Sequence, residues 1–135
     1  MATIFKFIAA HEFLEVSADG TIDMAASRKL LADIAGVVDL DVNHELLVDF
    51  RGTDSKLTIT EVYQLAAELF QHGTTFLRKV ALVVTPGLNF DRASFFETCS
   101  HNRGLSVNAY TDYEAAVRWI LNAQKPKTTT FIPAL

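Results

Sequence analysis

The chain has 135 residues, half of them hydrophobic, with 12 Lys and Arg against 16 Asp and Glu and a formal net charge of -4. This length fits one domain with a real core, since a chain of about 150 residues hides roughly 70% of its unfolded surface. The acidic balance argues against a grip on phosphate backbones, so nucleic acid is not an expected partner, and the single cysteine, Cys99, excludes an internal disulfide or a multi-thiolate metal site.

The start, MATIFKFIAAHEFLEV, carries His11, Glu12 and Glu15 among its apolar residues. It is too short and too alternating for a signal peptide or membrane span, which predicts a cytoplasmic protein with no integral membrane segment. Thr3 to Ile8 and Phe13 to Ser17 read as two strands, joined by a turn over Ala9 to Glu12 into an antiparallel hairpin. After a predicted turn at Asp19-Gly20, Asp23 caps a helix whose Leu30, Leu31, Ile34 and Ala35 recur at helical spacing, with Gly36 as its stop.

From Leu46 onward the pattern is strand then helix, repeated. Leu46-Leu47-Val48 is a short apolar run, and Val62, Leu65, Ala66, Leu69 and Phe70 form one face of a helix ending near Gly73. Val80 to Val84 has no polar position on either face, as a central parallel strand covered on both sides requires. Phe90 to Asn102 reads as a helix ending at Gly104, Leu105 to Tyr110 as the last strand, and Thr111-Asp112-Tyr113-Glu114 as a capping box opening the last helix.

The predicted fold class is therefore α/β: a single-domain mixed sheet in the order ββαβαβαβα with helices packed on it. The domain is expected over 1–123, with 124–135 as a C-terminal tail whose Phe131 to Leu135 end is apolar. Homodimerisation through an edge strand or this tail is a further expectation.

Strong catalytic motifs are absent: there is no Gly-rich phosphate loop, no serine nucleophile elbow and no paired helical histidines. No enzyme activity and no cofactor are expected. His11, His44, His72 and His101 are scattered and imply no metal site. Cys99 and His101, two apart on a helix, point in different directions, so an enzyme built on them with Asp49 or His72 lacks a motif.

The most informative stretch is ELLVDFRGTDSKLTITEV, Glu45 to Val62. An apolar strand ends in Asp49, passes through a hydroxyl-rich loop, and enters a helix, the place where open α/β sheets put working residues. Asp49 and the residues that follow it, Arg51, Thr53, Asp54, Ser55, Lys56, Thr58 and Thr60, make up the candidate partner-binding or regulatory surface. Thr58 and Glu61 have capping-box spacing, a structural role for Thr58. The same helix start also suits a phosphorylated hydroxyl at Ser55, Thr58 or Thr60.

LLVDFRG, RKVALVVTP and GLSVNAYTDYEAAVRWIL, with the element order, give the chain a resemblance to the STAS domains, nearest to the divergent SpoIIAA-like branch, also described as STAS/SEC14-like. The resemblance covers Ile4 to Leu121. It implies a non-enzymatic module binding another protein, such as a kinase or regulatory factor, with a phosphorylatable hydroxyl between the acidic strand end and the next helix. Family members commonly carry Asp-Ser-Ser/Ala-Gly there; this chain has Asp54-Ser55 followed by Lys56-Leu57 instead. The likeness to SEC14-type domains implies an alternative, a carrier or sensor of a lipid-like or other apolar small molecule, for which Phe90, Phe95 and Phe96 are the candidate contacts.

Overall fold

The computed structural model describes residues 6–10, 13–40, 45–71 and 79–123. The expectations for His11, His44, His72 and the tail from Gln124 lie outside these residues. Nine elements follow in chain order: β1 (Lys6–Ala10), β2 (Phe13–Ile22), α1 (Met24–Leu40), β3 (Glu45–Ser55), α2 (Ile59–Gln71), β4 (Val80–Val83), α3 (Leu88–His101), β5 (Val107–Tyr110) and α4 (Tyr113–Ala123). The strands form one sheet in sequence order. β1 is antiparallel to β2, and β2 through β5 are parallel. The predicted ββαβαβαβα mixed sheet is the fold observed.

Side chains alternate across a strand, so each face collects its own core. On one face Val16, Val48, Leu82 and Val107 pack with Leu30 and Ile34 of α1, Leu69 of α2 and Ala93 of α3. On the other, Phe13, Leu47, Ala81 and Val83 pack with Ala116 and Ile120 of α4. Every residue of β4 is buried because helices cover both of its sides, which accounts for the unbroken apolar run VALV.

Four expectations about boundaries change. Asp19 and Gly20 are not a turn, and Arg51 to Ser55 are not a loop: the two segments pair with each other in parallel, Asp19 with Gly52 through Ile22 with Ser55. Their Gly, Asp and Ser content has low strand propensity, and only mutual pairing makes them strands. Gly36 does not stop α1, which continues to Leu40. Thr111 does not cap α4; Asp112 does, its Oδ1 accepting the Glu114 N–H at 3.1 Å.

Other boundaries follow the sequence chemistry closely. The Ala26 N–H donates to Asp23 Oδ1 at 2.8 Å. Gly104, at φ +83, closes α3. Its N–H bonds the His101 carbonyl while the N–H of buried Leu105 bonds that of Ser100, the pattern in which a left-handed glycine satisfies the last carbonyls of a helix.

Candidate functional site

The lengthening of β3 organises the candidate residues. From Ser17–Asp49 to Asp19–Gly52 the register advances two residues on β2 and three on β3, so β3 carries a β-bulge over Phe50–Arg51. An extra residue inverts the alternation beyond it. Phe50 packs toward α1–α3, and so do Thr53 and Ser55, which line a cavity on that side. Thr53 Oγ1 donates to the Phe50 carbonyl at 2.7 Å, satisfying an acceptor at the irregularity. A Cβ at Gly52 would lie 1.8 Å from Asp19 Oδ1, so the Asp19 carboxylate rests over this glycine, while the nearest backbone atom, the Ala18 oxygen, is at an ordinary 3.5 Å.

Asp49 and Arg51 stand on the opposite, α4 side. Arg51 Nε and Nη2 reach the two carboxylate oxygens of Asp49 at 2.9 and 2.8 Å, and the Arg51 N–H adds a third bond to Oδ1. Burial pushes the Asp49 carboxyl up, but the hydrogen bonds and charge of Arg51 outweigh it and hold the group below its ordinary range. The Arg51 guanidinium lies 5.2 Å from the ring centroid of Tyr113, and the Tyr113 hydroxyl donates to Glu15 Oε1 at 2.6 Å. Burial, then the bond and charge of Glu15, push the Tyr113 phenol up to about 12. Asp49 is thus neutralised within a network of β2, β3 and α4, and its carboxylate is not a free base.

The remaining candidates are at the surface. Asp54 pairs with Lys56 at 3.1 Å, both well exposed. Thr58 and Glu61 form a reciprocal capping box: the Glu61 N–H donates to Thr58 Oγ1 at 3.1 Å, and the Thr58 N–H to Glu61 Oε1 at 3.0 Å. Thr60 is exposed in the first turn of α2. Ser55 is half-buried, and its Oγ accepts the Leu57 N–H at 3.3 Å. The structure therefore divides the predicted set into a network beneath α4, a pair facing a cavity, and an exposed rim at the start of α2.

The three phenylalanines are divided as well. Phe96 lines the cavity, whereas Phe90 packs on the core of the α1–α3 face and Phe95 on the cluster around Ile22 and Leu57. Cys99 is buried in α3, while His101, at the end of that helix, is exposed. Among the described residues no group of His, Cys, Asp or Glu could hold a metal ion, and no helix is long and apolar enough to cross a membrane.

Several residues escaped the sequence reading. Glu15 and Tyr113 are 98 positions apart and meet only in the fold. Ile59, Tyr63 and Phe70 of α2 are each 52% exposed, and at 100° per residue they lie within about 40° of one another. Their spacing carries this signal, and Phe70 lies outside the buried face that the apolar pattern predicts for it. Arg92 shares the i, i+3, i+4, i+7 row of Asn89, Ala93 and Phe96, a cation on an inward-facing stripe.

No family profile matches the chain, and no curated protein matches it in sequence. Solved structures do match in fold. An uncharacterized protein of the DUF3478 family from Shewanella loihica, with a SpoIIAA-like fold, shares 14% identity over 88% of this chain and 92% of its own, at a TM-score of 0.56. An anti-sigma factor antagonist from Mycobacterium paratuberculosis shares 17% over 89% and 95%, at 0.61. The anti-sigma factor antagonist SpoIIAA in its unphosphorylated form shares 13% over 86% and 96%, at 0.55. The fold of this chain is SpoIIAA-like.

Proposed function

We propose that this chain is a regulatory, protein-binding module of the STAS type, which docks a partner protein on the outer face of α2 and the adjoining end of β3. The observation that carries this reading is the exposed row of Ile59, Tyr63 and Phe70. Large apolar side chains left in one row on a helix that already buries Val62, Leu65, Ala66 and Leu69 are a feature of interaction surfaces. Asp54 and Lys56 flank the start of the row and supply a polar rim. Two structures of this fold are anti-sigma factor antagonists, consistent with a protein partner such as a kinase or regulatory factor.

Phosphorylation fits this surface at Thr58 or Thr60 better than at Ser55, which faces the cavity. A phosphate on Thr58 would meet Glu61, its capping partner, and the like charges would open the first turn of α2. Affinity capture from the source cells, compared among wild type, Tyr63→Asp/Phe70→Asp and Thr58→Asp, tests both points. Wild type should recover a partner that the double variant loses and the Thr58 variant holds differently. Equal recovery by all three would sink the docking surface and the switch together.

A second reading, a carrier or sensor of an apolar small molecule, is favoured by the cavity of about 140 Å³ between the sheet and α1–α3. An apolar cavity of about 150 Å³ holds one benzene ring, so the space suits a compact molecule rather than a whole lipid.

A further inference from the structure

The cavity surface is almost wholly apolar, and the few polar residues that line it gather at one end. Ile34, Leu46, Leu69 and Val80 line it toward the amino ends of the strands, while its polar lining residues, Ser27, Thr53, Ser55, Asn89 and Arg92, all belong to segments at or just after the carboxyl ends. Thr53, Ser55, Asn89 and Arg92 are partly exposed, so this end reaches solvent.

Arg92 is the unusual member. Its Nε donates to the Leu57 carbonyl, but Nη1 is buried without a hydrogen-bond partner among the described residues. No carboxylate among the described residues forms an ion pair with it. A guanidinium stays protonated in proteins, and a buried N–H of a cation without an acceptor is strongly disfavoured. Ser55 lines the same end of the cavity; its oxygen already accepts the Leu57 N–H, and its proton is engaged in no hydrogen bond among the described residues. Arg92 and Ser55, each with a donor to spare and neither with an acidic partner among the described residues, therefore line the solvent-reaching end of an apolar hole. The remaining donors suit a carboxylate, and a guanidinium fork matches its two oxygens.

The geometry points to a binding site for a compact monocarboxylic acid, its carboxylate on Arg92 and Ser55 and an apolar body of about six carbons among the leucines and Phe96. This rests on the reading that the cavity holds a small molecule, and it adds the chemical class of that molecule. It is independent of protein docking on α2, whose exposed row lies roughly 100° around the helix from Val62, Leu65 and Leu69, which line the cavity.

Calorimetric and amide-NMR titrations of the whole chain at neutral pH, with benzoate, hexanoate, benzyl alcohol and inorganic phosphate as probes, test the site. Benzoate should bind about tenfold or more tightly than benzyl alcohol, the gain expected of a charged hydrogen bond, and phosphate should not bind. Arg92→Met should remove that preference while keeping benzyl alcohol, and Ala93→Leu, which fills the cavity, should remove both ligands. Equal affinity for benzoate and benzyl alcohol would overturn the acid site and leave the cavity reading standing; failure of wild type to bind either would overturn both. Phosphate binding as tight as benzoate would also overturn it, since it would mean a simple anion site. If Arg92→Met does not fold, the Arg92 side-chain resonances of wild type decide: they must move with benzoate and not with benzyl alcohol.

Discussion

The Tyr113 hydroxyl donates to Glu15 at 2.6 Å, tying the first turn of α4 to β2 across 98 positions of sequence. The bond needs the protonated phenol, and the folded state holds that proton up to about pH 12, against an ordinary tyrosine value of about 10. A group whose folded pKa is raised stabilises fully below its unfolded pKa and loses that contribution as pH climbs through the folded value. Stability should therefore fall between pH 10 and 12 in wild type and fall less steeply there in Tyr113→Phe, which should also lose about 1 kcal/mol at neutral pH. Urea melts of both proteins across that window measure it; parallel pH profiles would contradict the assignment.

Arg51→Ala should raise the Asp49 pKa. In wild type the guanidinium and the Arg51 backbone N–H together outweigh burial; without the guanidinium only that N–H opposes burial, so the carboxyl moves up from its depressed value. With its folded pKa depressed, Asp49 stabilises wild type above about pH 4 and loses that contribution as pH falls through the folded value. The variant should show less of this loss. Carbon-detected NMR titration of the Asp49 carboxyl gives the pKa directly. The neutral-pH stability change should stay within about 1 kcal/mol, because half of the Arg51 side chain is in solvent.

The two sequence motifs of Thr-x-x-Glu type should respond differently to mutation. Thr58→Ala removes a hydroxyl that accepts the Glu61 N–H and should cost about 1 kcal/mol. Thr111→Ala should cost little, whereas Asp112→Ala should cost about 1 kcal/mol, since Asp112 supplies the acceptor for α4. Thermal or chemical melts of the three variants would separate the caps; a large loss in Thr111→Ala would refute this placement.

Ser100 is fully buried and its hydroxyl has no partner among the described residues. Ser100→Ala should stabilise the protein by about 1 kcal/mol, because an unpaired buried hydroxyl is disfavoured and alanine leaves almost no void. A shift of the urea midpoint to lower concentration would show that the hydroxyl is satisfied.

Gly36 lies inside α1, and a Cβ there would meet nothing within 4 Å. Gly36→Ala should therefore add roughly 0.5–1 kcal/mol by restricting the unfolded chain and favouring the helix. Hydrogen exchange of the last turns of α1 should slow with it. Loss of stability would mean that α1 ends at Gly36, as its sequence alone suggests.

Much of this architecture was written in local chemistry. The apolar runs at Leu46 and Val80 declare covered strands, Asp23 and Thr58 declare helix starts, and Gly104 declares a helix end, because periodicity and capping act over a few residues. The segments Asp19 to Ile22 and Arg51 to Ser55 could not be read that way. Each is polar and glycine-containing, and each is a strand only because the other pairs with it. The bulge that turns Ser55 toward the cavity, the approach of Tyr113 to Glu15, and the bond from Arg92 to the Leu57 carbonyl all join residues distant in sequence. The sequence by itself determined which segments are helices and strands and where most of them begin. Tertiary packing decided which face each candidate side chain occupies, since one extra residue in β3 inverts the alternation and no local pattern records it.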